Sequence, residues 1–438
     1  MTLSTRRIAL VCMTPSPDAN ELSHMELPSY GIRRILAATM ADRQLEGARV
    51  SLIDMPTPDV EACVEAILAL DADLVGMSIY VWSAPCLTEV ARRVKQRRPR
   101  CTIVFGGPSA RTALFDLPPY APAHTYVDAI VPSDGEMTFR EIARLPALSR
   151  AGLESVPGLD LPAPGGWTST APRPPLLALD DLPSPFQLGI MPGATVAYLE
   201  TYRGCPMSCV FCEWGATTSS AVFSTEYIER ELQSYARHRS PAVFLVDAGL
   251  NLNARGFRNL REAEARVGFL RSAQFWCEVY PSHLRDEHLD FLSSVGPSYL
   301  GIGLQSLDND VLKRLERPFQ RDRLEEVVRV LSRLATAEVQ IIFGLPTDSP
   351  EGFLRTLAYA RSLPVGVRAY HCLVLPDALM TRGRPEWRME YDPTTLEMLA
   401  CEGWPAGAMP KMRAHLAAEA AASGGKAGQY WWYFPPAS

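Results

Sequence analysis

Apolar residues fall along this chain in short continuous runs, separated by stretches where they recur every three or four positions. In the first third the runs cover residues 8–13, 50–54, 74–78, 102–105 and 129–131, with amphipathic stretches such as 29–40 and 88–96 between them. A strand that is apolar throughout must be covered on both faces, and strands alternating with helices make a parallel sheet. The pattern predicts a doubly wound, Rossmann-like α/β domain over residues 1–145.

From 151 to 192 the chain turns rich in Pro, Gly, Leu and Ala. Dense prolines exclude regular helix and central strand, which predicts an extended linker over 146–193. A second alternation then begins, with strands at 195–200, 242–246, 275–279, 299–303, 340–343 and 368–373 and helices including 226–236, 308–315 and 323–335. Six such units predict a partial (β/α)6 barrel over 194–376, its loops gathered at the strands' C-terminal ends. Past Pro376 the regular pattern fades, and 377–438 reads as a C-terminal substrate or cap segment. That segment is Ala-rich and closes on Tyr430-Trp431-Trp432-Tyr433-Phe434, which either roofs a pocket or docks the tail.

Composition narrows the function. The 438 residues carry a net charge of -6, which gives no basic footprint for nucleic acid. No run approaches about 18 unbroken apolar residues, so no membrane span is expected and the protein is placed in the cytoplasm, as a monomer. Of ten cysteines, Cys12, Cys63, Cys86, Cys101, Cys277, Cys372 and Cys401 are scattered and read as small buried hydrophobes. The other three cluster in Gly204-Cys205-Pro-Met-Ser-Cys209-Val-Phe211-Cys212. Iron–sulfur clusters normally take four Cys ligands, and only three are local here, so one iron would stay open to a ligand. A structural zinc site or a plain electron-transfer cluster are the alternatives. No second Cys-x-x-Cys pair supports the first, and the spacing is not that of bacterial ferredoxins.

Cys-x3-Cys-x-aromatic-Cys, with Phe211 as the aromatic, resembles the signature of the radical S-adenosylmethionine (SAM) superfamily. The resemblance implies a [4Fe–4S] cluster on Cys205, Cys209 and Cys212, with SAM on the open iron. An electron from an external donor, such as flavodoxin or ferredoxin, then splits SAM into methionine and a 5′-deoxyadenosyl radical. Val246-Asp247, Cys277-Glu278, Gly301-Ile-Gly-Leu-Gln305-Ser306 and Phe343-Gly-Leu-Pro346 resemble motifs of the cobalamin-binding subgroup. They imply cofactor contacts from Phe211, Asp247, Glu278, Gln305 and Ser306. Read as residues alone, Glu278 could instead salt-bridge or cap a helix, and Gln305 and Ser306 could pack the barrel.

The same subgroup explains three loops at strand ends of the first domain: Tyr80-Val81-Trp82-Ser83, Gly106-Gly107-Pro108 and Ser133-Asp-Gly135-Glu136. Ligands bind at that edge of such sheets, and glycines let backbone approach a bulky ring. All these residues except Asp134 are expected to cradle cobalamin. None of the seven histidines lies in an Asp-x-His-x-x-Gly motif, so Trp82 or a neighbour would sit beneath cobalt without ligating it, unless Trp82 is ordinary core. The implied activity is C-methylation of a small molecule, a natural-product intermediate, through methylcobalamin. A cyclase or rearrangement enzyme with the same cofactors, or polar methylation of an sp2 carbon, are the alternatives. Tyr370 and His371 end the sixth strand and are candidate proton carriers or structural residues.

Overall fold

The structure is a computed structural model, described over residues 6–14, 27–216, 221–317 and 319–436. The first sheet contains β1 (Arg7–Met13), β2 (Arg49–Met55), β3 (Leu74–Ser78), β4 (Thr102–Gly106) and β5 (Ala129–Ile130). They run parallel in the order β2-β1-β3-β4-β5. Strand order reverses between β1 and β3, and the crevice outside that switch point is where such sheets take ligands. The runs of β1, β3, β4 and β5 are buried as expected, with Ile8, Leu10, Leu74 and Val75 at most 1% exposed, while β2, at the sheet's edge, is half-buried. Helices Tyr30–Met40 and Gly135–Arg144 pack together over this sheet. A Cβ on Gly135 would sit 2.9 Å from Ile35 Cδ1, a contact to which the tip of that side chain would have to yield.

The segment expected as a linker differs from expectation. Residues 160–169 form a hairpin, β6 (Asp160–Ala163) and β7 (Gly166–Ser169), that extends the first sheet antiparallel beyond β5. The first unit therefore reaches past residue 145. Pro162 is tolerated because β5 is only two residues long and pairs at Asp160 alone, leaving no ladder partner on that side. After the hairpin, Leu179, Leu182, Phe186 and Met191 are buried in the core of the second unit, so this stretch is packed rather than free.

The second sheet is the partial barrel. Its strands β8 (Ala197–Leu199), β9 (Ala242–Leu245), β10 (Gln274–Val279), β11 (Ser298–Gln305), β12 (Thr336–Phe343) and β13 (Gly366–His371) are parallel and adjacent in sequence order. Val339, Ile341 and Phe343 point outward into a core shared with the flanking helices. By strand alternation, Glu338, Gln340 and Ile342 point into the barrel, as do Arg368 and Tyr370 of β13.

The tail is more ordered than its sequence suggests. A short pair, β14 (Glu390–Tyr391) and β15 (Met398–Ala400), precedes helix Ala408–Ala422. Then β16 (Lys426–Ala427) and β17 (Trp431–Phe434) pair, and β17 runs antiparallel to β13. Trp432 and Phe434 are buried in the barrel core, so the aromatic tail docks. Among the described residues no helix is long and apolar enough to cross a membrane.

Candidate functional site

The cysteine loop leaves β8 and is pinned before it starts. Asp247, at the end of β9, accepts from the Thr201 N–H at 2.8 Å, from the Thr201 hydroxyl and from the Tyr202 N–H at 3.4 Å. Burial pushes the Asp247 carboxyl up to about 8. Gly204, at φ +93°, makes the turn that a side chain would strain. Cys205 and Cys209 are 7% and 4% exposed; Cys212 is less buried. The Val210 N–H donates to Leu315 O at 3.1 Å, tying the loop to the helix after β11. Phe211 packs against the barrel core rather than standing free.

Two arginines outside any recognised motif brace this loop. Arg382, in the tail, donates to Ser208 O at 3.3 Å and to Cys212 O. Arg317 Nη1 lies 3.8 Å from Cys209 Sγ, while Nη2 donates to Gly303 O at 2.8 Å. Neither has a signal in one sequence: each is an arginine near an element's end, like many others in the chain. Beside them an open pocket of about 440 Å³ is lined by Ser208, Asn309, Leu312, Lys313, Glu316, Arg317 and Phe319.

Inside the barrel, polar side chains form a chain of contacts. Glu278 accepts from Gln340 Nε2 at 3.1 Å, and Gln340 also lies 3.3 Å from Glu338. Glu338 is held by Arg368 Nε at 2.8 Å and by the Tyr299 hydroxyl at 2.5 Å. Burial pushes the Glu278 carboxyl up to about 7. Gly301 makes room for it: a Cβ there would come within 2.3 Å of Glu278 Oε1. Gln305 sits at φ +69° after a bulge, a strained conformation for a non-glycine residue, of the kind that clusters at functional sites. Tyr370 shares the inward face of β13 with Arg368. Its hydroxyl stays protonated well above the usual range because it is buried.

The three loops of the first domain lie together at one sheet edge. Trp82 stacks on Tyr80 at 4.5 Å and remains 42% exposed, so it is not core. Pro108 and Ser133 are also exposed there, and Val81 is buried. Gly107, at φ +99°, lets its loop close on the Ile79 backbone, where a Cβ would come within 2.8 Å of Ile79 O. Gly106 accepts the Ile79 N–H at 2.7 Å, zipping the first two loops together.

Four expected site residues have their side chains engaged elsewhere. Ser83 is fully buried and accepts the Tyr80 N–H at 2.9 Å, so its hydroxyl shapes the turn instead of facing a ligand. Ser306, also fully buried, donates to Asp348 at 3.1 Å. His371 points outward, between Met398 O at 2.9 Å and Arg413 at 3.1 Å, and burial lowers it to about 4. Glu136 binds Arg203 through both carboxylate oxygens, at 2.5 and 3.3 Å, across the domain boundary. Burial disfavours its charge, but Arg203 and Arg34 outweigh that and hold its carboxyl near about 2. Arg203 and Arg34, like Arg317, were not singled out by any sequence pattern.

Among the described residues no three His, Cys, Asp or Glu side chains converge tightly enough for a single metal ion. Three thiols on one loop suit a larger group, because a four-iron cube holds its ligands farther apart than one ion does. The donors fit that group: Met207 N–H points at Cys205 Sγ at 3.5 Å and Arg317 Nη1 lies 3.8 Å from Cys209 Sγ, both able to donate to a metal-bound sulfur.

Comparison with known proteins agrees with this geometry. Residues 23–143 match the family described as B12 binding domain, and residues 199–360 match the Radical SAM superfamily. The 2-(S-pantetheinyl)-carbapenam-3-carboxylate methyltransferase of Streptantibioticus cattleyicolor is 30% identical over 70% of this chain and 48% of its own length. The cobalamin-dependent radical SAM methyltransferase TokK of Streptomyces tokunonensis is 29% identical over the same shares. The chain thus spans about half the length of these curated relatives. Among solved structures, the radical SAM methyltransferase TsrM of Kitasatospora setae superposes with a TM-score of 0.70 at 16% identity, covering 94% of this chain and 88% of that one. That likeness is one of fold. A [4Fe–4S] cluster, SAM and cobalamin are the cofactors that go with the two matched domains. With both domains present in this order and on this fold, the chain belongs to the cobalamin-binding branch of the radical SAM superfamily.

Proposed function

We propose that the chain catalyses C-methylation of a small-molecule, natural-product intermediate, with the methyl group passing from SAM by way of cobalamin to a substrate carbon. One observation carries the reading. Glu136, in the helix that follows the third loop of the cobalamin edge, grips Arg203, two residues ahead of Cys205. That ion pair supports a reading in which the two cofactor edges address one shared space.

When bound, the cluster and SAM supply a 5′-deoxyadenosyl radical, and cobalamin carries the methyl group. The chain's residues prepare that chemistry. Cys205, Cys209 and Cys212 would hold three irons of the cluster. Tyr80 and Trp82 offer a flat apolar surface for the corrin, with Gly106, Gly107, Pro108, Ser133 and Gly135 around it. Glu278 faces the barrel interior and can accept hydrogen bonds from an amino group of SAM or substrate. Gln305, Gln340 and Tyr370 add polar groups on the same side. The names of the carbapenam and TokK relatives support methyl transfer to a small molecule. The electron would come from an external protein such as flavodoxin or ferredoxin.

The test is to count nucleosides released per product by the anaerobically reconstituted protein. Radical methylation requires S-adenosylhomocysteine and 5′-deoxyadenosine near one to one. Deoxyadenosine without stoichiometric S-adenosylhomocysteine would indicate a cyclase. S-adenosylhomocysteine alone would indicate polar methylation.

A further inference from the structure

Arg317 belongs to no motif and pairs with no carboxylate among the described residues, yet it is fixed from three sides. Nη2 donates to Gly303 O at 2.8 Å, Nη1 lies 3.8 Å from Cys209 Sγ, and the guanidinium carbon sits 4.9 Å from the centre of the Tyr280 ring. Gly303 is required for this arrangement, because a Cβ there would come within 2.6 Å of Nη2. Nε is buried without a hydrogen-bond partner, so the charge is not spread over other acceptors. A rigid cation with no salt-bridge partner among the described residues, the Glu278 carboxyl acting on it only from farther off, is thereby held in contact with a sulfur that would bind iron. Such a charge is felt far more strongly at a protein interior than in bulk water. Its outer side lines the open pocket, where water and salt screen part of it.

We propose that Arg317 is a positioning residue that poises the cluster. Its cation favours the reduced cluster, which carries one more negative charge, and so raises the reduction potential. Charge and hydrogen bonds at the sulfurs are among the levers that set such potentials. The inference rests on Cys209 being a cluster ligand.

The experiment is a potentiometric titration of the reconstituted full chain, without SAM or substrate, followed by electron paramagnetic resonance of the reduced cluster. Wild type is compared with Arg317→Gln and Arg317→Lys at matched iron content. Gln should lower the reduced-to-oxidised ratio about tenfold at fixed ambient potential, equivalent to about 59 mV for one electron. Lys keeps the charge but loses the planar fork, and should stay closer to wild type than Gln does. Should the Gln variant not fold, Arg317→Met, which keeps the stem that packs on Tyr280, replaces it. Equal potentials in wild type and the uncharged variant would overturn the proposal. So would equal shifts in Gln and Lys, which would make Arg317 a brace only. Loss of iron from the uncharged variant alone would also overturn it, because Arg317 would then retain the cluster instead of poising it. Absence of a cluster from the wild type would sink the reading of the cysteine loop instead, a separate outcome.

Discussion

Arg203 and Glu136 meet at 2.5 Å across the boundary between the two sheets, both side chains nearly buried, with Glu200 2.8 Å from Arg203 and Arg34 close behind. Arg34 in turn donates to the Tyr227 hydroxyl at 2.9 Å, so two arginines and two glutamates form one interdomain knot. Removing one partner of a buried pair leaves the other uncompensated and costs about 3–5 kcal/mol.

This knot predicts an acid limb of stability. The Glu136 carboxyl is depressed in the folded chain to about 2, from an ordinary 4.5. A depressed acid stabilises fully above its unfolded value and loses that contribution as pH falls through its folded value. Between about pH 4.5 and 2 the wild type should lose about 3 kcal/mol from this group. Glu136→Gln should lower the melting temperature at pH 7 and flatten that acid limb. Thermal melts from pH 7 to 3 that superimpose for both proteins would refute it.

At Asp247 the sign is opposite. Its carboxyl is raised to about 8, so it is mostly neutral at pH 7 and its ionisation works against folding as pH climbs from about 4 towards 8. Asp247→Asn should therefore be mild at pH 7 and relatively more favourable at pH 9. Asp247→Ala should cost about 2–4 kcal/mol, having stranded the Thr201 and Tyr202 donors. Denaturant titrations at the two pH values measure the crossover.

Replacing Cys205, Cys209 and Cys212 together by Ala should abolish iron binding and the visible absorbance, while cobalamin still binds. The remaining cysteines should not compensate: Cys12, Cys63, Cys101, Cys277, Cys372 and Cys401 are buried and Cys86 half-buried, and the neighbouring pairs Cys63–Cys86 and Cys372–Cys401 offer two thiols each, too few for the cluster. Near-full iron in the triple variant, measured by colorimetric assay, would contradict the assignment.

Cob(II)alamin on the protein should show no lower-nitrogen splitting in electron paramagnetic resonance. His124 belongs to the turn Ala121–Thr125, which leads into the start of β5, at the sheet edge opposite the cobalamin loops. His24 lies outside the described residues. Trp82→Ala should loosen cobalamin without creating a ligand, and tighter binding in that variant would argue against Trp82 lying under the ring.

How much of this was legible in the sequence follows from what each residue type advertises. The strands of both sheets were visible because fully buried strands read as unbroken apolar runs. The cysteine loop was visible because metal chemistry demands a spacing. Helix Ala408–Ala422 was not, since alanine on every face leaves no apolar stripe to count. Nor was the β6–β7 hairpin, whose proline fits only because the neighbouring strand is too short to require its N–H. Ser83 and Ser306 stand in the quoted motifs and His371 at a strand end, but their side chains turn inward or outward by rules of local hydrogen bonding that spacing does not encode. Arg203 and Arg317 gain their meaning only from partners 67 and 108 residues away.

The antiparallel strand β17 has one more consequence. Without it, β13 would present an unpaired row of backbone donors and acceptors along the last parallel strand, a template for another chain. Trp432 and Phe434 anchor the covering strand from the core side, while Trp431 and Tyr433 flank Arg368 at 4.8 and 5.2 Å. The aromatic tail thus gives the last parallel strand a partner from its own chain, and the same aromatic residues that cover β13 also press on the ion pair deep inside the sheet.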